Sequence, residues 1–232
     1  LGGNAPFIVF EDADLDAALE GAMLAKFRNA GQTCVCANRI LVQRGLYARF
    51  VEALTERVQA LQVGPGLQAG VNIGPLIDQA ALERVEARVA DAQRQGARLM
   101  CGGQRLPLGA LFYAPTVLAD VTADMRIARE EIFGPVAPVL PFDTETDAIA
   151  LANATEHGLA AYLYTRDLAR SWRVSEALKV GMVGLNTGLI SNEVAPFGGV
   201  NQSGYGREGS RYGIEAYQTL KYVCVEVGGP QV

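Results

Sequence analysis

The sequence has little histidine, and its cysteines do not follow the spacing of a disulfide framework or a zinc site. Its 232 residues include one histidine, His157, and four cysteines, at positions 34, 36, 101 and 224. This set fits neither a disulfide framework nor the paired C-x-x-C pattern of a zinc site, so we expect no metal. A working thiol has to stay reduced, which favours a reducing compartment and predicts a cytoplasmic protein.

Long apolar runs and concentrated positive charge are also missing. No hydrophobic stretch approaches the roughly 20 residues that a membrane span needs. The formal net charge is -5, and the 20 basic residues are spread along the chain. A nucleic-acid-binding surface would gather them into a stripe. We therefore expect neither a membrane nor a nucleic acid as a partner.

Short apolar segments alternate with amphipathic helical patterns, and half of the residues are hydrophobic. The predicted strands cover 6–10, 39–43, 97–101, 137–142, 159–165 and 183–186. Helices are predicted to begin at Asp12 or Asp14, near residue 46, at Asp78, near residue 146 and near residue 168. This alternation predicts a three-layer α/β fold with a mainly parallel sheet.

The C-terminal part of the sequence has a different character. Residues 198–213 are polar and rich in glycine, and 220–227 are rich in β-forming residues. Such a segment would be an exposed edge strand unless another chain or domain pairs with it. We therefore predict a thiol-bearing α/β domain at 1–200, followed at 201–232 by a return segment and an oligomerisation strand.

The most informative cysteine is Cys34, which follows a predicted helix end and Gly31. A flexible glycine can help to present a thiol at a cleft, and a thiolate is a strong nucleophile toward carbonyl carbon. A cysteine among small apolar residues is also a common core residue. The residues around Cys34 leave both interpretations open.

Four phrases together resemble the aldehyde dehydrogenase family, in the order that the family has. They are Leu1-Gly2-Gly3-Asn4, Gly31-Gln32-Thr33-Cys34, Glu130-Glu131-Ile132-Phe133-Gly134-Pro135 and Pro196-Phe197-Gly198-Gly199. The resemblance covers essentially the whole chain and corresponds to the C-terminal portion of such an enzyme. It implies a nicotinamide cofactor, NAD or NADP, and a catalytic thiol-bearing domain.

The resemblance also implies roles for individual residues. Cys34 would be the nucleophile, Glu131 would hold a ribose hydroxyl of the nicotinamide half of the cofactor, and Phe133 would lie against that half. From the residues alone, Glu131 could instead cap a turn and Phe133 could be a core aromatic. Glu208 matches a second family glutamate proposed to handle protons, or it could pair with Arg207 or Arg211.

In the implied mechanism, the Cys34 thiolate attacks the aldehyde, hydride leaves for the nicotinamide, and activated water releases the acid from a thioester. The glutamate that activates this water would stand immediately before Leu1. It and the N-terminal dinucleotide-binding domain are therefore expected to be absent from the chain. One alternative is consequently that the isolated chain is a folded, dimerising domain without activity.

The substrate class is indicated by two further phrases that resemble succinate-semialdehyde dehydrogenases, F-R-N-x-G-Q-T-C-V-C and Gly188-Leu189-Ile190-Ser191. The resemblance implies that Arg28 and Ser191 bind the far carboxylate of a small aldehyde, which suits a guanidinium and a hydroxyl. Arg28 could otherwise be a solvated cation at a helix end. Succinate semialdehyde is the first candidate, and glutarate semialdehyde or another ω-oxo acid is the alternative.

Cys36 is typical of the same subfamily and could form a disulfide with Cys34 under oxidation. The ring would be tight, so we expect the bond to need loop movement and to be easily reduced. Because the family uses its terminal strand between subunits, we also predict a homo-oligomer.

Overall fold

The computed structural model of the protein describes residues 2–229. Within them a seven-stranded sheet has the order β3-β4-β5-β2-β1-β6-β7. Only the β3–β4 pair is antiparallel. The strands are β1 Ala5–Val9, β2 Ala37–Gln43, β3 Arg98–Cys101, β4 Thr116–Ala119, β5 Val136–Phe142, β6 Ala160–Tyr164 and β7 Met182–Leu185. The prediction of a mainly parallel sheet is confirmed.

Helices cover both faces of this sheet. They are α1 Leu15–Phe27, α2 Arg44–Gln59, α3 Gln79–Arg94, α4 Arg126–Arg129, α5 Glu145–Asn153 and α6 Leu168–Ala177. Asp14 and Asp78 cap α1 and α3 by accepting a main-chain N–H, as their positions in the sequence predict.

Two hydrophobic cores lie on opposite faces of the sheet. Phe7 and Val9 of β1 point into the core beneath α1 and α2, whereas Ile8 points into the core beneath α3, α5 and α6. Every residue of β1 is buried, as expected for a parallel strand covered by helices on both sides. This arrangement confirms the three layers.

Three segments differ from the sequence-based prediction. Strand β4 and helix α4 were not predicted, because a four-residue element is too short to show a period. Residues 218–229 form no strand within this chain, and their side chains are exposed. The pairing of 220–227 with another chain stays a prediction. No helix in the described part of the chain is long and apolar enough to cross a membrane.

Candidate functional site

Cys34 and Glu131 lie on loops at the amino ends of parallel strands. Gly2–Asn4 precede β1, the loop with Cys34 precedes β2, and the loop with Glu131 precedes β5. The Gly3 N–H donates to Glu131 Oε1 at 3.0 Å, and a Cβ on Gly3 would lie 2.2 Å from the Cys34 carbonyl oxygen. These loops are therefore in direct contact. Sites of parallel α/β sheets are more commonly found at the carboxyl ends of the strands.

A left-handed turn after α1 directs the chain into the Cys34 loop. Asn29, Ala30 and Gly31 have φ values of 51°, 54° and 75°. Glycine is required at position 31 for two reasons. Its φ is unfavourable for other residues, and an added Cβ would lie 2.1 Å from the Gly134 carbonyl oxygen. The turn thus brings the Cys34 loop against the loop that carries Glu131.

Cys34 is partly exposed, and it packs against the rim of a hydrophobic core. Burial raises the pKa of its thiol, and the negative charges of Glu131 and Glu208 raise that pKa further. Cys34, Glu131 and Glu208 therefore lie in one electrostatic neighbourhood. A thiol here stays protonated more readily than a free cysteine, so its deprotonation needs a proton acceptor.

The Glu131 loop is anchored by polar residues that the sequence did not single out. Asn38 donates to Asn4 Oδ1 at 2.6 Å and accepts the Ile132 N–H at 2.9 Å. Arg88 donates to the Glu131 carbonyl at 2.6 Å and to the Ile132 carbonyl at 3.2 Å. Asn4 lies in one of the four phrases that resemble the family, whereas nothing in the sequence indicates that Asn38 and Arg88 anchor this loop.

Glu131 itself is half-buried. Burial raises the pKa of its carboxyl group, while the Gly3 N–H and the positive charges of His157, Lys26 and Arg88 act in the opposite direction. Glu131 is thus a loop carboxylate with one oxygen bound to the main-chain N–H of Gly3, on a segment far away in the sequence. Its other oxygen, Oε2, has no hydrogen-bond partner among the described residues and could accept a ligand hydroxyl.

Phe133 lies outside both hydrophobic cores and is partly exposed. Its φ of 52° is left-handed, a conformation that non-glycine residues rarely adopt. The core-aromatic alternative for Phe133 does not hold. A partly exposed ring two residues from the Glu131 carboxylate suits the face of a planar cofactor ring, so the residues present fit the nicotinamide half of a dinucleotide.

Glu208 is tied to the site through its main chain. Its N–H and carbonyl exchange hydrogen bonds with Phe197, at 2.7 and 2.9 Å. The alternative pairing with Arg207 or Arg211 is not found among the described residues: Arg207 donates to three main-chain carbonyls, and Arg211 to a tyrosine hydroxyl. The Glu208 side chain is exposed.

Arg28 is exposed at the end of α1. Burial raises the pKa of Tyr162, and the positive charge of Arg28 acts in the opposite direction. The Tyr162 hydroxyl donates to the carbonyl of Val35 at 2.8 Å, directly after Cys34. Arg28 begins the short 3-10 helix Arg28–Gly31, which leads into the loop of Cys34.

Ser191 lies on the loop after β7 and is exposed. It lines a cleft of about 440 Å³ together with Leu189 and Phe197, and neither Arg28 nor Cys34 belongs to the lining. The same loop reaches α1, since a Cβ on Gly188 would lie 2.3 Å from the carbonyl oxygen of Gly21. The structure thus brings the loop of Ser191 to the helix that ends at Arg28, without bringing the two side chains into one cavity.

Cys36 is buried, with an exposed fraction of 8%. Its thiol donates to the carbonyls of Ala25 and Lys26, at 3.1 and 3.0 Å. All four cysteines are free. The sulfur of Cys36 is therefore held at the end of α1, and a bond to Cys34 requires these two hydrogen bonds to break.

The charges of two basic residues that the sequence did not indicate, Lys26 and His157, act on Glu131. Lys26 is only 1% exposed, and burial lowers its pKa. His157 has a buried Nδ1 without a partner among the described residues. Within residues 2–229, no group of three or more His, Cys, Asp and Glu side chains could hold a metal ion.

Comparison with known proteins identifies the family. The model described as "Aldehyde dehydrogenase family" matches residues 1–223. The chain is 62% identical to a 3-sulfolactaldehyde dehydrogenase of Pseudomonas putida and 60% identical to an NADP-dependent succinate-semialdehyde dehydrogenase of Escherichia coli, in each case over 97% of the chain.

Among solved structures, the succinate-semialdehyde dehydrogenase of Burkholderia pseudomallei superposes with a TM-score of 0.97 at 60% identity. That alignment covers 98% of this chain and 47% of the solved one, and the two curated relatives are covered to 46% and 47% of their length. The chain thus spans about half the length of the relatives it matches. It belongs to the aldehyde dehydrogenase family.

Proposed function

We propose that the natural protein carrying this chain oxidises a short, carboxylate-bearing aldehyde, with succinate semialdehyde as the first candidate, and reduces NAD⁺ or NADP⁺. The observation that carries the proposal is the partly exposed Cys34, whose loop packs against the loop of Glu131. A thiol within reach of solvent, whose loop contacts the loop of a half-buried carboxylate and a partly exposed aromatic ring, suits aldehyde oxidation through a covalent intermediate.

In this proposal Cys34 first loses its proton and then attacks the aldehyde carbon. The carbonyl oxygen becomes an alkoxide, which the Cys34 N–H can stabilise. A bound nicotinamide would supply the acceptor for the hydride of the former aldehyde carbon, and a thioester would remain on Cys34. Water then attacks the thioester and releases the acid and the thiol. Because its pKa is raised, the Cys34 thiol needs a base in the first step.

The chain's own residues supply the nicotinamide half of the cofactor site. Glu131 would hold ribose hydroxyls through the oxygen that Gly3 does not bind, and Phe133 would lie against the nicotinamide. The charge of Glu208 acts on Cys34, which supports a part in proton handling. Both cofactors are retained in the proposal: a relative with NADP in its name is 60% identical to the chain, and a solved structure in complex with NAD⁺ is 39% identical.

The far end of the substrate is assigned to Arg28 and Ser191. A guanidinium binds a carboxylate through two parallel hydrogen bonds, and a serine hydroxyl adds one more donor. The same pair suits other aldehydes with an anionic tail. Relatives named glutarate-semialdehyde dehydrogenase and 3-sulfolactaldehyde dehydrogenase, at 58% and 62% identity, make a longer carboxylate or a sulfonate the alternatives.

Several further expectations remain proposals. Residues 1–200 act as the catalytic unit, and 201–232 as the return segment and oligomerisation strand of a homo-oligomer. The exposure of Leu220, Tyr222 and Val225 supports the second part. The isolated chain, which spans about half the length of its relatives, is expected to turn over no substrate. A cytoplasmic location would keep the thiols reduced.

Reversible oxidation through a Cys34–Cys36 disulfide is also retained as a proposal. It requires Cys36 to leave the carbonyls of Ala25 and Lys26. Peroxide treatment followed by peptide mass spectrometry tests it. A Cys34–Cys36 crosslink that dithiothreitol removes is expected, and the appearance of only sulfenic or sulfinic acid on Cys34 contradicts it.

A steady-state assay tests the main proposal. The full-length natural protein and the isolated chain are each given succinate semialdehyde, glutarate semialdehyde or 3-sulfolactaldehyde, with NAD⁺ or NADP⁺. We expect reduced cofactor to form with the full-length protein and succinate semialdehyde, with the highest kcat/KM of the three, and none with the isolated chain. A full-length protein that is inactive with all three aldehydes contradicts the proposal.

A further inference from the structure

The peptide group that joins Gly2 to Gly3 is held by side chains at both of its ends. Ser203 donates its hydroxyl hydrogen to the Gly2 carbonyl at 2.6 Å, and the Gly3 N–H donates to Glu131 Oε1 at 3.0 Å. The carbonyl and the N–H of a trans peptide lie in one plane and point in opposite directions. A side chain that fixes the carbonyl therefore also fixes the direction of the N–H.

The Ser203 hydroxyl is itself directed by a main-chain donor. Ser203 is only 1% exposed, and its oxygen accepts the Gly158 N–H at 3.0 Å. A hydroxyl that accepts a hydrogen bond in this way still has one hydrogen to donate, and Gly2 takes it. The contacts thus form one continuous chain of hydrogen bonds from Gly158 through Ser203 and the peptide to Glu131, in which each bond polarises the next.

The short 3-10 helix that carries Ser203 is fixed to the start of β6 without the help of this hydroxyl. The Val200 N–H donates to the Gly158 carbonyl at 2.9 Å, and the Gln202 N–H donates to the Glu156 carbonyl at 3.0 Å. Both bonds join main-chain atoms, so they do not depend on the side chain at position 203. The effect of the hydroxyl can therefore be separated from that of the helix.

The held peptide lies where the two loops of the site meet. A Cβ on Gly3 would lie 2.2 Å from the Cys34 carbonyl oxygen, and the Gly3 N–H engages Oε1 of Glu131. If the peptide turned over, it would present its carbonyl oxygen to this carboxylate, and the two oxygens would repel each other. The orientation of the peptide therefore decides how the Glu131 carboxylate is held and which of its oxygens is left for a ligand.

We propose that Ser203 is a positioning residue: its hydroxyl orients the Gly2–Gly3 peptide, and through it the Glu131 carboxylate that would hold the ribose of a nicotinamide dinucleotide. The inference rests on the proposed cofactor role of Glu131. Both residues of this peptide are glycines, which adopt more backbone conformations than other residues. The peptide has little preference of its own, and the Ser203 bond selects the orientation in which its N–H faces Glu131.

The test compares binding of the whole cofactor with binding of its adenosine half, in the full-length natural protein. Dissociation constants for NAD⁺, NADP⁺, AMP and adenosine 2′,5′-bisphosphate are measured by equilibrium dialysis for the wild type, Ser203→Ala and Ser171→Ala. The last two nucleotides lack the ribose that Glu131 would hold. Ser171→Ala is the matched control, because the buried Ser171 hydroxyl also donates to a main-chain carbonyl, that of Leu168 in α6 at 2.7 Å.

We expect Ser203→Ala to weaken binding of NAD⁺ or NADP⁺ about fivefold, the effect of one lost hydrogen bond, and to change binding of the two adenosine nucleotides less than about twofold. Ser171→Ala should follow the wild type with all four. In a Glu131→Ala background, Ser203→Ala should change cofactor binding less than about twofold, because the carboxylate that the peptide orients is gone.

Unchanged cofactor binding in Ser203→Ala overturns the proposal, as does equal weakening with and without Glu131 or equal weakening of the adenosine nucleotides. Ser203→Cys keeps a side chain of similar size with a weaker donor. We expect its cofactor affinity to lie between those of the wild type and Ser203→Ala, and it provides the same comparison if Ser203→Ala does not fold. A Ser203→Cys protein that binds all four nucleotides as the wild type does contradicts the role of the hydroxyl.

If the wild type binds neither cofactor, the proposed function fails while the inference about Ser203 can still be judged. Deuterium exchange of peptides that contain Gly3 is then measured by mass spectrometry for the wild type, Ser203→Ala and Ser171→Ala. We expect exchange at least about threefold faster in Ser203→Ala alone, with peptides of α3 unchanged, because the Gly3 N–H loses its fixed direction. Equal exchange of the Gly3 peptides in all three proteins overturns the positioning of this peptide by Ser203.

Discussion

Replacing Gly31 with alanine tests whether the left-handed turn positions the Cys34 loop. Alanine at a φ of 75° costs about 1–2 kcal/mol. The new methyl group would also lie 2.1 Å from the Gly134 carbonyl oxygen, and overpacking of that kind costs about 1–3 kcal/mol. The two loops would have to separate, so we expect a large loss of stability.

Gly70→Ala is the matched control for this prediction. Gly70 has a similar φ of 81°, but no atom lies within 4 Å of its added Cβ. Both variants carry the cost of the backbone conformation, and only Gly31→Ala meets another loop. We expect urea unfolding to show Gly31→Ala about 1–3 kcal/mol less stable than Gly70→Ala. Equal destabilisation would refute the contact between the loops of Cys34 and Glu131.

Three other predictions concern charge and anchoring. Glu131→Gln should lower the pKa of Cys34 and speed its alkylation by iodoacetamide at pH 8, since a negative charge near the thiol is removed; an unchanged rate-against-pH curve contradicts this. Asn38→Ala should destabilise the fold by about 2–3 kcal/mol in urea unfolding, because it leaves buried partners unsatisfied; a loss below about 0.5 kcal/mol would show that Asn38 does not anchor the loop. Arg126 and then Arg88 lower the pKa of Glu130 below 4.5, so its contribution to stability is present above that pH and is lost as pH falls. Glu130→Gln should therefore flatten the loss of stability below pH 4.5, and an unchanged slope contradicts the ion pairs.

Much of the fold could be predicted from local signals. The caps at Asp14 and Asp78 and the alternation of short apolar segments with helical periods follow from the sequence directly. Strand β4 was not predicted; it has only four residues, and all of them are buried. The segment 218–229 carries a strand-like composition, yet strand formation depends on a hydrogen-bonding partner that this chain does not supply.

The functional site could be predicted only in part, because its residues come together from distant parts of the chain. Cys34 and Glu131 stand in phrases that the family resemblance marks, and the structure brings their loops together. Arg88, Asn38 and Lys26 act on the Glu131 loop from 43 or more residues away, and sequence spacing carries no sign of this. The location of the site at the amino ends of the strands likewise depends on how the loops pack.

The central claim is that the sulfur of Cys34 attacks the substrate, and variants of the full-length natural protein test it most directly. Formation of reduced cofactor from succinate semialdehyde is compared between the wild type, Cys34→Ala and Cys101→Ala. The Cys101→Ala variant is the control, because it removes a part-buried thiol on β3. We predict that kcat falls by at least about 10³-fold for Cys34→Ala and changes little for Cys101→Ala. A Cys34→Ala protein that is folded and retains wild-type turnover would contradict the account.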